Sequence, residues 1–397
     1  MSLSDRIKAI EPSATLALSA KAKALKAQGV DVVDLSAGEP DFDTPEVVKE
    51  AARQALREGF TKYTPTSGIE ELKVAIIEKL QRDNGLTYEK SQIIVSCGAK
   101  HSLYNISQVL FGPGDEVMIP SPYWVTYPDQ VRLAGATPVE IKTLEQDGFR
   151  ISSELLSPRL SSRTKAIILN SPCNPTGSAY DRATLDQVAE IAIERGLYLI
   201  SDEIYEPFVY DGWKHTSIAA VSQAVKQRTL LVNGVSKAYA MTGWRIGYAA
   251  GPAEIITAMD TLQSQSTSNP TSIAQKAAVV ALREGHSFTQ AMVAEFDRRR
   301  RYVVERLNKL PGITCILPKG AFYAFPNVSA LFSKRYRGRP LENASRVADF
   351  FLDAAKVVVV PGEPFGAPEH LRLSYATSME NLAKALDRIA TALQTLT

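Results

Sequence analysis

A lysine and an arginine, eight residues apart, lie in the most informative stretch of the sequence. This stretch, GVSKAYAMTGWRIG at residues 234–247, contains Lys237 and Arg245. A lysine amine at the end of a buried strand can react with an aldehyde, and an arginine guanidinium binds phosphate oxygens as a planar fork. A lone lysine in a glycine-rich loop would simply lie on the surface, but the whole stretch favours a reactive site.

Acidic and amide side chains follow two other apolar runs. In LISDEIY, residues 199–205, Asp202 can pair with a protonated pyridine nitrogen, and Tyr205 can reach an oxygen of the same ring. Asp202 could also cap a helix or bind a metal, but no histidine or carboxylate cluster in the sequence supports a metal. In NSPCNPTG, residues 170–177, Asn174 can donate to an anionic oxygen, although the segment could also be a plain turn.

Further positions suit a planar, anionic ligand. Gly98 and Ala99 begin a helical pattern after an apolar run, and backbone amides at a helix N-terminus bind anions, although the P-loop spacing is absent. Trp124 follows another run and can either stack on a ring or pack in a core. Arg372 interrupts the apolar stretch HLRLSY, so its charge needs either a structural acid or a carboxylate ligand.

Alternating elements must position these residues. Between about residues 45 and 285, amphipathic helical patterns alternate with short apolar runs, which predicts an α/β fold with a mostly parallel sheet buried between helices. The predicted strands are Gln92–Ser96, Glu116–Pro120, Thr137–Ile141, Ala166–Asn170, Leu197–Asp202, Thr229–Asn233 and Ile246–Ala250. The predicted helices are Pro45–Glu58, Ile69–Asn84, Lys100–Leu110, Tyr123–Ala134 and Ala183–Arg195. Reactive groups in such sheets gather at the carboxyl ends of the strands.

The pattern of predicted helices and strands changes after residue 285. A long helix at Phe288–Leu310 precedes short alternating segments, which predicts a smaller α+β domain. Its predicted strands are Ile313–Leu317, Ala321–Pro326, Val357–Val360 and Leu371–Tyr375. The first forty or so residues have no sheet of their own. We therefore predict a large domain at 46–285 and a small domain formed by 1–45 with 286–397.

Composition excludes several functional classes. The 397 residues carry 45 lysines and arginines against 43 acids, a net charge of +2 that predicts neither nucleic-acid nor membrane binding. The one dense basic run, Arg298–Arg301, lies in a helical pattern and is interpreted as a solvated helix face. Cys97, Cys173 and Cys315 have no paired spacing, and no segment is typical of a signal peptide or membrane span. A soluble cytoplasmic protein is expected.

Together these motifs resemble the class I aminotransferases of fold type I, which use pyridoxal 5′-phosphate (PLP). Within that family the chain is similar to the bacterial branch of aspartate and aspartate/prephenate aminotransferases. Supporting stretches are PSAT at 12–15, AGEPDFDTP at 37–45, SPYW at 121–124 and SYAT at 374–377. The resemblance runs nearly end to end and implies a homodimer acting on an amino acid and a 2-oxo acid.

The resemblance also implies a role for each site residue. Lys237 would hold PLP covalently and later move the substrate proton, while Asp202 would pair with the ring nitrogen. The ring oxygen would be bonded by Tyr205 and Asn174, with Trp124 stacked on the ring. The phosphate would be held by Gly98, Ala99, Ser236, Arg245 and Tyr63, the last from the neighbouring subunit. The substrate α-carboxylate would be bound by Arg372, Asn174 and Gly38.

Substrate choice rests on a second cation. In similar proteins the lysine that opens the phosphate-side helix, here Lys100, faces the distal carboxylate together with the N-terminal Ser13 and Thr15. Aspartate and glutamate are therefore the expected donors, with some breadth. Relatives that accept prephenate can have a basic residue before PSAT, whereas this chain has Glu11, which argues against prephenate.

Two other classes remain to be compared. A PLP lyase on the same fold would use nearly the same site, and only its products would differ. A regulator built on this fold would need a DNA-binding unit, for which the sequence gives neither a helix-turn-helix pattern nor a basic excess.

Overall fold

A large mixed sheet organises the fold. Within residues 4–12 and 14–397, which the computed structural model describes, this sheet has seven strands. In spatial order they are Ile93–Ser96, Gly247–Ala250, Thr229–Gly234, Tyr198–Asp202, Thr164–Asn170, Glu116–Ser121 and Thr137–Lys142. Gly247–Ala250 is antiparallel to both of its neighbours, and the other pairs are parallel. The predicted mostly parallel sheet is confirmed.

Successive strand residues face opposite helical layers, which is why these strands are apolar throughout. Ile200 packs in one layer and Leu199 in the other. The first layer comprises Ala99–Leu110, Thr126–Leu133 and Ala253–Ser264. The second comprises Glu46–Arg57, Glu70–Asn84, Arg182–Arg195, Gln223–Lys226 and Ser272–Glu284. The sheet is thus covered on both faces, as the α/β pattern predicts.

A smaller set of strands follows the long helix His286–Leu307. Leu371–Ser374 pairs antiparallel with Val360–Pro361 on one side and with Tyr323–Ala324 on the other. The predicted strand Ile313–Leu317 is wrong: Thr314 makes only an isolated bridge to Asn327. This segment follows the turn that ends the long helix, and it has no neighbouring strand to extend that bridge.

The N-terminal segment joins the second unit. Val33–Asp34 pairs in parallel with Val357–Val358, so the chain start and the C-terminal region share a small sheet. Other helices here are Asp5–Lys8, Ala14–Ala27, Ala344–Phe350, the π-helical turn Phe351–Ala355 and Met379–Leu393. The division into 46–285 and 1–45 with 286–397 stays a prediction, which this pairing supports.

The sequence suggested that the arginine run at residues 298–301 forms a solvated helix face. This prediction is wrong. Arg300 is fully buried and forms ion pairs with Asp211 and Asp297, and the buried Arg299 pairs with Asp41. The error arose because two of the four arginines point into the protein, where acids distant in sequence neutralise them. Among the described helices, none is at once long enough and apolar enough to cross a membrane.

Candidate active site

A cavity of about 420 Å³ opens at the carboxyl ends of the parallel strands. Segments that directly follow these strands contribute side chains far apart in sequence. Of the predicted site residues, the cavity is lined by Gly38, Ala99, Lys100, Trp124, Asn174, Asp202, Tyr205, Ser236, Lys237, Arg245 and Arg372. Because parallel strands end at one edge of the sheet, most of the residues that the motifs single out lie together in this cavity.

Lys237 lies in the cavity wall, three residues beyond the end of strand Thr229–Gly234. Its Nζ donates a hydrogen bond of 2.5 Å to the backbone carbonyl of Gly38. Burial lowers the pKa of this amine to about 8, since the opposing effect of Glu39 is smaller. A neutral, nucleophilic amine is therefore accessible near physiological pH.

Asp202 ends strand Tyr198–Asp202 and is almost fully buried. One carboxylate oxygen accepts a 2.8 Å hydrogen bond from the Tyr127 hydroxyl, and the other accepts the backbone N–H of Ile204 at 3.2 Å. Burial raises the pKa of Asp202 to about 6, although the Tyr127 hydrogen bond opposes the shift. A cation facing this carboxylate would hold it ionised.

Arg372 is 2% exposed and has no acidic partner among the described side chains. Its two terminal nitrogens donate to Asn174 Oδ1 at 2.9 Å and to the Ser36 carbonyl at 2.7 Å. Its Nε is buried without a hydrogen-bond partner. Burial lowers the pKa of the guanidinium. The structural salt bridge considered from sequence is absent there, which favours an anionic ligand.

Two tyrosine hydroxyls in the cavity lining contact each other. The Tyr205 hydroxyl lies 2.7 Å from that of Tyr323, and both hydroxyls are buried. Burial holds the pKa of both phenols above the usual value. Both remain protonated at neutral pH, and the hydroxyl that accepts the bond between them keeps its own proton to donate to an oxygen placed in the cavity.

An anion-binding corner forms where helix Ala99–Leu110 begins. Gly98, at φ +93°, is its N-cap, and a Cβ there would run into the Arg245 guanidinium. A Cβ on Gly247 would collide with the backbone nitrogen of Ala99. Arg245 donates to the Thr242 carbonyl at 2.8 Å and leaves much of its side chain exposed. The close approach of a guanidinium to a helix N-terminus suits a phosphate.

Trp124 provides an aromatic surface beside this corner. The Lys100 ammonium lies 4.8 Å from the centre of the Trp124 ring, and Tyr127 meets the same ring edge-on. Burial, followed by the positive charge of Arg245, lowers the pKa of Lys100. A desolvated cation repelled by another cation gains more than usual from binding an anion.

Of the predicted residues whose side chains the structure describes, Gly98 and Tyr63 are not among those that line the cavity. Tyr63 is 92% exposed on the surface. Ser13 lies outside the described residues, and Thr15 belongs to helix Ala14–Ala27 but its side chain is not described. Their roles stay predictions.

The sequence reasoning missed several lining residues, among them Tyr127, Tyr323 and Lys23. Tyr127 could have been found, because it lies one helical turn beyond Trp124 and shares its face. Tyr323 lies in an apolar strand without a polar cluster. Lys23 is one of several lysines in an N-terminal helix, and nothing in the sequence distinguishes it from the others.

The site defines an enzyme that acts on a small anion. Two lysines with lowered pKa values, one buried carboxylate and, among the described side chains, two arginines without acidic partners converge on one cavity at the strand ends. Perturbed titratable groups in the main cavity are typical of catalysis.

The family follows from comparison with known proteins. The sequence profile described as "Aminotransferase class I and II" matches residues 30–389, and the chain belongs to this family. It is 50% identical over 393 residues to an aspartate aminotransferase of Geobacillus stearothermophilus, covering 98% of both chains. It is 49% identical to a probable aspartate/prephenate aminotransferase of Aquifex aeolicus, covering 99% of this chain and 98% of the relative.

Solved structures agree with the fold. The aspartate aminotransferase of Rhizobium meliloti superimposes with a TM-score of 0.96 at 45% identity, with both chains covered completely. The Thermus thermophilus aspartate aminotransferase crystallised with maleate gives a TM-score of 0.92 at 47% identity, covering 99% of this chain and all of the other.

Proposed function

We propose that this protein is a PLP-dependent aminotransferase that moves the amino group of aspartate or glutamate to a 2-oxo acid such as 2-oxoglutarate or oxaloacetate. The observation that carries the proposal is the convergence of Lys237, Asp202 and Arg372 on one cavity. The names of the relatives from Geobacillus and Rhizobium support aspartate as a substrate.

The residues present fit PLP in charge and in chemistry. The corner at Gly98 and Arg245 suits its phosphate, Asp202 its ring nitrogen and Trp124 a ring face. Tyr205 and Asn174 offer hydrogen-bond donors for its ring oxygen. When bound, PLP supplies an electron sink that stabilises negative charge on the substrate α-carbon.

Lys237 acts both as nucleophile and as base. Because its pKa is lowered to about 8, a useful fraction of the amine is neutral at neutral pH and can hold the cofactor's aldehyde carbon. When it is not holding the cofactor, the same amine would lie in the cavity wall and could take a proton from the substrate α-carbon. The Gly38 carbonyl, which now accepts its hydrogen bond, gives the freed amine a fixed direction.

Asp202 sets the electronic state of the site. A buried carboxylate stabilises a proton on a nitrogen that faces it, because the low-dielectric surroundings strengthen their attraction. The hydroxyl of Tyr127 holds this carboxylate in place. The raised pKa of Tyr205 keeps its hydroxyl protonated, and the hydroxyl of Tyr323 contacts it. Tyr205 can therefore donate a hydrogen bond to the ring oxygen of PLP without becoming charged.

Arg372 orients the substrate through its α-carboxylate. Its free Nε and its partly satisfied terminal nitrogens can donate a bidentate pair of hydrogen bonds to a carboxylate. Lys100, which lines the same cavity, can attract the distal carboxylate of aspartate or glutamate. Two cations in one cavity, one for each carboxylate, favour dicarboxylic substrates.

Prephenate is a second candidate substrate. The Aquifex relative is named for both aspartate and prephenate. Glu11, which argued against it, has an exposed side chain and is not among the residues that line the cavity. Its repulsion of a second carboxylate would therefore be weaker than the sequence suggested.

A half-reaction experiment tests the function. Enzyme reconstituted with PLP is mixed with aspartate, glutamate or alanine, and the cofactor absorbance and the released 2-oxo acid are both measured. We expect aspartate and glutamate to convert the cofactor to its amine form and to release the matching 2-oxo acid. A lyase would release other products and leave the cofactor in its aldehyde form.

Replacement of the lysine tests the assignment of Lys237. We expect Lys237→Ala to bind PLP without a covalent link and to lose essentially all turnover, because both the nucleophile and the base are removed. Borohydride reduction of the wild type followed by peptide mapping should place the cofactor on Lys237. A label on another lysine would refute the assignment.

A further inference from the structure

Lys23 lines the proposed active site, although nothing in its sequence context marks it. It belongs to helix Ala14–Ala27 in the N-terminal segment, far from the strand-end motifs. Its side chain is exposed and contributes to the same cavity as Lys100, Gly38 and Arg372. A positively charged residue thus reaches the site from an element that carries none of the predicted chemistry.

Packing fixes which side of this helix faces the cavity. Ala22 is fully buried, and the partly buried Leu18 and Leu25 pack with it against Val32 and Val358. Positions 18, 22 and 25 follow the spacing of one helical face. This buried face determines the rotation of the helix about its axis, and so the direction of Lys23.

Leu18 also joins the helix to the rim of the site. It packs against a second apolar cluster that contains Phe365 and Val125. Val125 directly follows Trp124, and the Phe365 ring lies 5.3 Å from the Arg372 guanidinium. The helix therefore packs against an apolar cluster that also contacts Val125, next to Trp124, and includes Phe365, beside Arg372.

The charges around the cavity favour an anionic ligand with several negative groups. Its positive lining residues are Lys23, Lys100, Lys237, Arg245 and Arg372, and its acidic ones are Glu39 and Asp202. Phosphate and an α-carboxylate account for Arg245 and Arg372 under the proposed function. Lys23 and Lys100 then remain as cations without an assigned counter-charge.

No described side chain neutralises Lys23. Among the ion pairs of the described residues, none involves Lys23. Asp31, an acid that follows this helix in the sequence, pairs instead with Lys384 and Arg388. An exposed lysine at a cavity keeps a strongly hydrated, mobile ammonium group that can follow ligands of different length. Lys100, by contrast, is held over Trp124.

We propose that Lys23 is a specificity-determining residue that binds the distal carboxylate of a dicarboxylic substrate together with Lys100. The inference rests on the proposed aminotransferase function and adds a second cation from the N-terminal helix. Because Lys23 is exposed, its contribution is smaller than that of a buried pair and is sensitive to salt. Both lysines act on the same carboxylate, so their effects should not be additive.

Lys23→Ala tests the proposal, with Lys26→Ala as the matched control. Lys26 is exposed on the same helix but does not line the cavity. We expect Lys23→Ala to lower kcat/KM for aspartate and glutamate about three- to tenfold, mainly through KM, since a uniform binding contact is lost. Alanine, which lacks the distal carboxylate, should be unaffected, and Lys26→Ala should match the wild type with all three.

Two further measurements identify the cause. Lys23→Arg should restore most of the dicarboxylate preference, because charge rather than shape is required. Raising the salt concentration should narrow the gap between wild type and Lys23→Ala. In a double variant with Lys100→Ala, the combined loss should differ from the product of the two single losses.

Binding of succinate separates this inference from the proposed function. Succinate is a dicarboxylate that cannot transaminate, so calorimetry reports its affinity whether or not turnover occurs. Weaker succinate binding by Lys23→Ala than by Lys26→Ala supports the inference. Equal binding, or an equal loss for alanine and aspartate, would overturn it while leaving a transaminating wild type intact. A wild type that transaminates nothing would instead overturn the proposed function.

Discussion

Asp202 shows how one buried residue can be prepared for its partner. Its pKa of about 6 results chiefly from burial, which outweighs the hydrogen bond from Tyr127 and the charge of Lys237. A protonated ring nitrogen would shift this balance strongly towards the ionised form. The carboxylate is therefore adapted to a cationic partner rather than to solvent.

Asp202→Asn is expected to slow the half-reaction with aspartate at least about a hundredfold, because a neutral amide cannot stabilise a protonated ring nitrogen. Asp202→Glu should keep far more activity, since it retains the charge. Stopped-flow measurement of cofactor absorbance for both variants checks the difference. An Asn variant as fast as the wild type would contradict the role of the carboxylate.

Tyr127→Phe should move the acidic limb of the pH profile for PLP binding by the cofactor-free protein to higher pH. The Tyr127 hydroxyl donates the hydrogen bond that lowers the pKa of Asp202, so its removal raises that pKa and the carboxylate protonates earlier as pH falls. The buried Tyr180, whose hydroxyl makes no hydrogen bond to Asp202, provides the control Tyr180→Phe. A limb that moves equally in both variants would point to general loosening of the core.

The sequence predicted which residues line the cavity best where each residue followed its own strand. Lys237, Asp202 and Asn174 lie within a few residues of strand ends, and parallel strands bring their ends to one edge. Tyr323 and Lys23 reach the cavity only because the second unit and the N-terminal helix pack over that edge. Such contacts depend on tertiary packing, which local patterns do not record.

At the scale of elements, strand Tyr198–Asp202 is fixed by a buried ion pair just beyond its end. Glu203 accepts hydrogen bonds from Ser201 and Ser217 at 2.8 and 2.7 Å, and its other oxygen lies 2.9 Å from His215 Nε2. Glu206 lies near enough for these three groups to share a cation. Glu206 is instead paired with the ammonium of Lys79, and the set is satisfied by protein groups alone.

The protonation of this pair follows from its neighbours. Burial alone would raise the pKa of Glu203, but the charge and hydrogen bond of His215 outweigh it and the pKa falls below 4.5. Burial alone would lower the pKa of His215, but Glu203 raises it above 6.5. The stabilisation by His215 is lost as pH rises through its raised pKa, and that by Glu203 as pH falls through its lowered pKa.

Glu203→Gln should therefore lower the free energy of unfolding by about 3 kcal/mol, because breaking a buried pair leaves an uncompensated partner. The loss should be greatest between pH 4.5 and 6.5, where both ionised forms are fully favoured, and should shrink on either side. Urea unfolding across this range measures it. Glu305→Gln, which breaks an exposed pair with Lys309, should have no measurable effect.

Element boundaries were predicted closely wherever strands and helices alternate. The helix predicted at Ile69–Asn84 is observed at Glu70–Asn84, and it ends at Gly85 with φ +66°, as a C-terminal glycine favours. The strand predicted at Ile313–Leu317 was wrong because an apolar run becomes a strand only beside a partner, and the sequence does not record partners.

At the scale of the whole molecule, the cavity draws its walls from both predicted domains. Arg372 and Tyr323 belong to the smaller unit, and Gly38 precedes the boundary, while Lys237 and Asp202 belong to the larger one. We propose that the division at residues 45 and 285 separates two functions. The larger unit would hold the cofactor, and the smaller would bring the arginine that orients the substrate.

Tyr63 is the residue through which we expect a second copy of the chain to contribute to the site. It is 92% exposed, which is unusual for a large aromatic side chain, and it is distant in sequence from the anion-binding corner. We propose a homodimer in which each Tyr63 hydroxyl donates to the phosphate in the partner's site. Two-fold dimers place the same residue at both sites.

Mixing two inactive variants tests this arrangement. Lys237→Ala lacks the essential amine, and Tyr63→Ala should bind PLP roughly ten- to a hundredfold more weakly through loss of a charge-assisted hydrogen bond. At limiting PLP both homodimers should be nearly inactive. If Tyr63 serves the partner's site, each heterodimer contains one site with both wild-type residues. Random re-association in equal amounts should then restore roughly a quarter of wild-type activity.

The opposite arrangement gives a different result. If Tyr63 served the site of its own chain, every site in the mixture would lack either Lys237 or Tyr63, and activity at limiting PLP would not recover. Sedimentation of the wild type provides the matching control, since an active monomer with tightly bound PLP would exclude a shared site. Recovery that appears only after the subunits have exchanged would place Tyr63 across the interface, because mixing changes nothing within either chain.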